Sequence, residues 1–323
     1  MQIPDLDLQQ PRSLKEAWTS LEGDASFDWM GGGTDLLCNY KWGINVPQKV
    51  ISLRKTAELQ GGVGTLAAGR TLYEIQQDPI LQKDFPALSY AASVIASPLI
   101  RRTATLGGNL LLDTRCWHFN QTLEWRRAHG SCLKAEADVC RVMPYPGNLC
   151  VAAYSGDMAP VLLAYGANFV LVGPSGERTV PASDFYAEDG IRRYEDKRPE
   201  EILLRAELPK EACDWTVAYQ KLRLRKTFDF PEGGVAAAVQ WKDGKVVQAR
   251  LATTAYASVP CLYPEISASL EGGGLTEVHI EAAAEALFLA VRPMKNTSMS
   301  PAYRKKMARV LCRRALKACT SDS

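Results

Sequence analysis

Apolar positions along the chain follow two rhythms, and both lapse in one central stretch. Phe27-Asp28-Trp29-Met30 reads as a strand running into Gly31-Gly32-Gly33-Thr34-Asp35. A helical turn from Leu36 to Trp42 follows, then a second strand at Val50-Ile51-Ser52-Leu53. Ser13 to Glu16 and Thr71 to Glu74 each have the Ser/Thr-x-x-Glu form of a capping box, which predicts helices to about Leu21 and about Gln77. Leu66 to Gly69 reads as a strand and Pro86 to Ile95 as a helix. From about 114 to 153 neither period persists. Charges, Trp117, Trp125, Pro144, Pro146 and Gly147 are scattered there, as in an insertion ordered by something other than an apolar core. Patterning resumes at Ala159 to Leu163, with strands expected at Asn168 to Val172 and Ile202 to Leu208. Beyond 210–215, two runs, Gly233 to Trp241 and Lys245 to Thr254, flank the hairpin signal Lys242-Asp243-Gly244. Amphipathic helices are expected from Thr276 to Val291 and from Ser300 to Ala318, the latter with Pro301 at its first position. The expected architecture is α/β followed by α+β. A two-part α/β unit covers 1–212, in subdomains of about 1–56 and 57–212, with the insertion at about 114–153; a small α+β domain covers 213–323.

The 38 basic and 36 acidic side chains leave a net charge of +2, so no bulk field argues for nucleic acid or a membrane surface. The start, Met-Gln-Ile-Pro-Asp, has no basic region or apolar core, and no apolar run has the length of a spanning helix. A cytoplasmic protein is expected. There the nine cysteines are better read as metal ligands where they cluster than as a disulfide framework.

Gly31-Gly32-Gly33-Thr34-Asp35 follows a strand and precedes a helix, and Thr105-Leu106-Gly107-Gly108-Asn109 has the same character. Glycines allow successive backbone N–H groups to approach an anion, and Thr34 adds a hydroxyl. One such turn usually does no more than turn the chain. Two could grip the two phosphates of one dinucleotide. Neither is a Walker A or a GxGxxG turn.

Cys116, Cys132, Cys140 and Cys150 fall within 35 residues, spaced x15, x7 and x9, without a Cys-x-x-Cys knuckle. The residues alone leave three readings open: four unrelated buried thiols, a zinc staple with His118 or His129 as substitute ligands, or an iron–sulfur cubane. Cys38, Cys213, Cys261, Cys312 and Cys319 are scattered and read as ordinary thiols, the last two packing on one face of the final helix. Trp117 and Trp125 either shield a cluster or simply pack. Arg101, Arg102, Arg192, Arg193, Arg223, Arg225 and Lys226 form short basic runs that read as solvated faces, with Leu222 to Arg225 as a strand wet on one side.

The pair Gly-Gly-Gly-Thr-Asp-Leu-Leu and Arg-Arg-Thr-Ala-Thr-Leu-Gly-Gly-Asn-Leu resembles the flavin-binding subunit of the molybdenum hydroxylases, the xanthine dehydrogenase and carbon monoxide dehydrogenase family. Ser155-Gly156-Asp157-Met158-Ala159-Pro160, Ile202-Leu203-Leu204 and Tyr219-Gln220-Lys221-Leu222-Arg223 resemble its later motifs, the match at Lys221 being loose. The resemblance implies non-covalent FAD bound in a two-part α/β domain. It places the flavin's contacts at Met30, Gly31, Gly32, Gly33, Thr34, Asp35, Thr105, Gly107, Gly108, Asn109, Asp157, Leu204 and Lys221, and gives this chain no catalytic residue. The departure is the stretch between Asn109 and Ser155, longer than in ordinary members. It is similar to the insertion of the 4-hydroxybenzoyl-CoA reductase branch, whose flavin subunit carries an additional [4Fe–4S] cluster, which implies Cys116, Cys132, Cys140 and Cys150 as its ligands. The same resemblance implies a molybdenum-cofactor subunit and a [2Fe–2S] subunit as partners in a dimer of heterotrimers, and ferredoxin as electron donor. The competing expectations are a free-standing flavin oxidoreductase with structural zinc and a nucleotide-binding redox-sensing module.

Overall fold

A computed structural model describes residues 3–21, 23, 26–143 and 148–320; Pro144, Pro146 and Gly147 of the insertion lie outside them. Its strands form three sheets. The first is parallel, in the order β1-β3-β2, from β1 (Asp7–Gln9), β2 (Phe27–Met30) and β3 (Lys49–Ser52). The second is antiparallel, in the order β4-β7-β5-β6, from β4 (Leu66–Ala67), β5 (Asn168–Gly173), β6 (Gly176–Pro181) and β7 (Ile202–Glu207). The third is antiparallel, in the order β11-β10-β9-β8, from β8 (Trp215–Leu222), β9 (Gly233–Lys242), β10 (Lys245–Thr254) and β11 (Cys261–Leu262).

Strand alternation explains how the layers stack. Along β5, Val170 and Val172 face Leu14, Leu53 and Leu59. Phe169 and Leu171 point the other way, into the largest core. Along β9, Ala236 and Ala238 join that same core, while Val235, Ala237 and Val239 meet the two C-terminal helices. The small side chains let the Met158–Tyr165 helix lie close against the third sheet. All eight residues of that helix are buried. It is apolar on every side, so the sequence carries no amphipathic period to announce it.

The β9–β10 hairpin turns at Asp243 (φ 50°) and Gly244 (φ 72°), the geometry of a type I′ turn. Thr71 and Glu74 make the full reciprocal capping box. At Ser13 only half of it forms: Ser13 accepts the Glu16 N–H, but the Glu16 carboxylate takes the N–H of Arg12, and the helix stops at Thr19. Ser300 caps the final helix, which ends at Lys317, so Cys319 lies just beyond it; Cys312 and Cys319 are both buried in the C-terminal core.

Two expectations about charge need correction. Arg101 is not on a solvated face: it is 8% exposed and donates to the carbonyls of Ile95 and Ala96 and to Gln76. The chain also leaves β8 at Leu222, and Arg225 instead pairs with Asp229. The insertion is partly packed. Its unexpected helix, Leu123–His129, is capped by Thr122, and Arg126 donates to the carbonyls of Trp42 and Gly43. Among the described residues, no helix is long and apolar enough to cross a membrane.

Candidate functional site

The two glycine turns, far apart in sequence, meet. β2 ends at Met30 and delivers Gly31 and Gly32 against residues 103–105. A Cβ on Gly31 would lie 2.6 Å from Thr105 Oγ1, and one on Gly32 would overlap the Thr103 carbonyl oxygen. Gly33 turns the chain with φ +69°, beside the sulfur of Met30. The second turn is held from behind by backbone bonds from Leu106 to Arg70 and from Gly107 to Ala68, at 2.9 and 2.8 Å. Thr105 Oγ1 accepts the Gly108 N–H at 3.1 Å, starting the short Leu106–Leu110 helix. Gly107 is backed tightly by Ala68. Gly108 is exposed, and a Cβ added to it would meet only Thr105 Oγ1. Among the described residues, the N–H groups of Gly32, Gly33 and Thr34 have no acceptor within the chain. Consecutive unspent amides beside an open glycine face have the donor set that a diphosphate requires. The residues present therefore fit the pyrophosphate of FAD.

Behind the turns lies a buried polar group. Asp157, at the start of the Met158–Tyr165 helix, accepts from Tyr219 Oη at 2.7 Å and from Lys221 Nζ at 2.9 Å. Lys221 also donates to the carbonyl of Val94. Burial raises the Asp157 carboxyl and lowers the Lys221 amine, and each partner's charge opposes the other's shift. Asn109 Oδ1 accepts the Met158 N–H at 3.0 Å, tying the second turn to the same helix. Leu204 packs its side chain with Leu14, Leu53 and Val172, and its carbonyl takes the N–H of Ala68, the residue behind Gly107. Asp157, Leu204 and Lys221 thus support the second turn from behind, while Thr34 lies exposed at the first.

The four insertion cysteines converge. Cys116, Cys132, Cys140 and Cys150 are each 5–8% exposed and line one small space, together with His118, Lys134 and Arg141. A small apolar cluster of Ile44, Phe119 and Ala152 surrounds three of them. Burial pushes the Cys116 thiol up to about 11, with Cys132 and Cys150 close enough to add to the shift. Among the described residues, no three His, Cys, Asp or Glu side chains approach closely enough to hold a single metal ion. Cys38 and Cys213 are exposed and apart from this group. Trp117 is 56% exposed, and His129 stacks on Trp125 with ring centroids 4.1 Å apart; none of the three lines the space.

Sequence reasoning missed the charges that join the turns to the cysteines. Asp35 accepts from Arg115 at 2.6 Å. Asp113 pairs with the buried Lys134 at 2.7 Å and with Arg193 at 3.6 Å. Only the adjacency of Arg115 to Cys116 hinted at such a link.

Two family models divide the chain: "FAD binding domain in molybdopterin dehydrogenase" matches residues 4–211, and "CO dehydrogenase flavoprotein C-terminal domain" matches 217–319. The chain belongs to the FAD-binding subunits of the molybdenum hydroxylases. It is 27% identical over 322 residues to the carbon monoxide dehydrogenase medium chain of Hydrogenophaga pseudoflava, covering 98% of this chain and 97% of that one. It is 24% identical over 311 residues to a putative xanthine dehydrogenase FAD-binding subunit of Escherichia coli, covering 94% and 92%. The solved carbon monoxide dehydrogenase of Hydrogenophaga pseudoflava contains a chain that superposes with a TM-score of 0.77 at 26% identity, covering 99% and 98%. The two-part FAD-binding domain and the C-terminal α+β domain expected from the sequence are those of this family.

Proposed function

We propose that this flavin subunit also carries a [4Fe–4S] cluster on Cys116, Cys132, Cys140 and Cys150, and that it passes electrons from a low-potential donor of the ferredoxin type toward a molybdenum site in another subunit. The observation that carries the reading is the convergence of four buried thiols on one space. A cubane spreads four thiolates over four irons, whereas a zinc staple draws them to a single ion.

In this reading the N–H groups of Gly32, Gly33 and Thr34 hold the FAD diphosphate, and the open face of Gly108 admits it. Thr105 and Asn109 keep the second turn in place, and Asp157 with Lys221 fixes the layer behind it. FAD supplies the redox chemistry when bound; the chain positions it. The reaction assigned to the assembled enzyme is reduction of 4-hydroxybenzoyl-CoA to benzoyl-CoA with loss of the ring hydroxyl, at the molybdenum cofactor of a partner and by way of a [2Fe–2S] subunit. The purified assembly, given a reduced low-potential donor, should form benzoyl-CoA. Oxidation of carbon monoxide, a purine or an aldehyde without any reduction of the CoA ester would overturn the substrate assignment.

A further inference from the structure

Asp35 stands at the start of the Leu36–Lys41 helix, yet its carboxylate makes no capping bond to the backbone there. An Asp in that place ordinarily accepts an N–H from the first turn of its own helix. Here Oδ1 accepts from Arg115 Nη1 at 2.6 Å, and the two side chains keep only 21% and 16% of their exposure. Oδ2 takes the Asn39 amide at 3.4 Å. Arg115 is fixed on its other sides. Its backbone N–H and C=O exchange bonds of 2.7 Å with Ala153, and its guanidinium lies over the Phe230 ring, 4.3 Å from the centroid. Arg115 immediately precedes Cys116, and Ala153 follows Cys150 by three residues. One side chain therefore connects the last residue of the first glycine turn to the paired segments that bear two of the four thiols.

We propose that Arg115 is a positioning residue that couples the cysteine cage to the flavin cradle. The inference rests on the reading of the four thiols as a cluster site. With the cage filled, the segments beside Cys116 and Cys150 hold Arg115, and Arg115 neutralises the Asp35 carboxylate, which directly follows the amides of Gly32, Gly33 and Thr34. With the cage empty, Arg115 loses that anchorage, and the uncompensated Asp35 charge repels the diphosphate on those amides.

The test is a double-mutant cycle on FAD affinity, read by fluorescence titration of the assembled protein after flavin removal, with iron measured in each variant. Cys140→Ser, which breaks the cage at a ligand away from Arg115, should weaken FAD about tenfold, within the usual range of coupling between sites. Arg115→Met should weaken FAD comparably while iron is retained. The double variant should bind FAD no more weakly than either single one, and Arg115→Lys should restore most of the loss. If Arg115→Met itself loses iron, Asp35→Asn takes its place in the cycle, and FAD affinity in that background should not respond to Cys140→Ser. Losses that multiply in the double variant, or an FAD affinity indifferent to Arg115→Met, would overturn the coupling. Wild-type protein without iron would remove the cluster reading, and this inference with it, whereas iron-replete protein with independent losses overturns this inference alone.

Discussion

The glycines of the two turns do different work, and substitution separates them. Gly32 is pressed backbone to backbone against Thr103, so Gly32→Ala should destabilise the fold by about 2 kcal/mol, as overpacking of a tight contact does. Gly108 is exposed, and a Cβ there would meet only the Thr105 hydroxyl, at 3.1 Å. Gly108→Val should therefore leave the thermal midpoint nearly unchanged and cost most of the flavin, measured as FAD released by acid per chain. If Gly108→Val keeps full flavin, the open face is not the flavin's. Both glycine motifs are plain in the sequence, but their meeting is not, because nothing local in residues 31–35 points to Thr103. Arg101 shows the same limit: two adjacent arginines read as a wet surface, and only the fold shows that the carbonyls of Ile95 and Ala96 surround one of them. Exposure also sorts the thiols. A brief alkylation at pH 8 should label Cys38 and Cys213 and spare Cys116, Cys132, Cys140 and Cys150, by peptide mass mapping. Labelling of the buried four at equal speed would contradict their burial.

At the scale of elements, the sequence is most informative where one face is wet. The Thr71–Glu74 box and the two C-terminal helices declare themselves by caps or amphipathic period, and the β9–β10 hairpin, whose first strand is buried on both faces, by its Asp-Gly turn. It is least informative at the extremes. The Met158–Tyr165 helix is buried all round, and β6 is mostly exposed and has no apolar alternation. The insertion falls between these cases. Its x15, x7 and x9 spacing carries no local motif, so the convergence of its thiols is a property of the fold. Its helix rests on Trp42 and Gly43, while Cys140, alone of the four thiols, lies outside the small apolar cluster around Ile44 and Phe119. Cys140→Ala should accordingly lose the iron and open the segment around 131–143 to protease, with FAD weakened but the three sheets intact by circular dichroism. Full iron retention in Cys140→Ala would exclude that residue as a ligand.

At the scale of the whole molecule, three sheets share their cores through β5, β9 and one buried helix, so the flavin cradle and the C-terminal domain form one packed body. In the proposed reading the chain supplies a flavin site, and the substrate chemistry belongs to another subunit. Co-purification from its native source should return it with a molybdenum-cofactor subunit and a [2Fe–2S] subunit, and an isolated chain that reduces the CoA ester unaided would refute that division of labour. This flavin subunit, in the proposed reading, carries a second redox centre. Chemical analysis of the purified chain for iron, acid-labile sulfide, zinc and FAD tests it most directly. The expected result is about four irons and four sulfides with one FAD per chain, the content of one [4Fe–4S] centre beside one flavin. One zinc and no sulfide, or FAD with no metal at all, would contradict it.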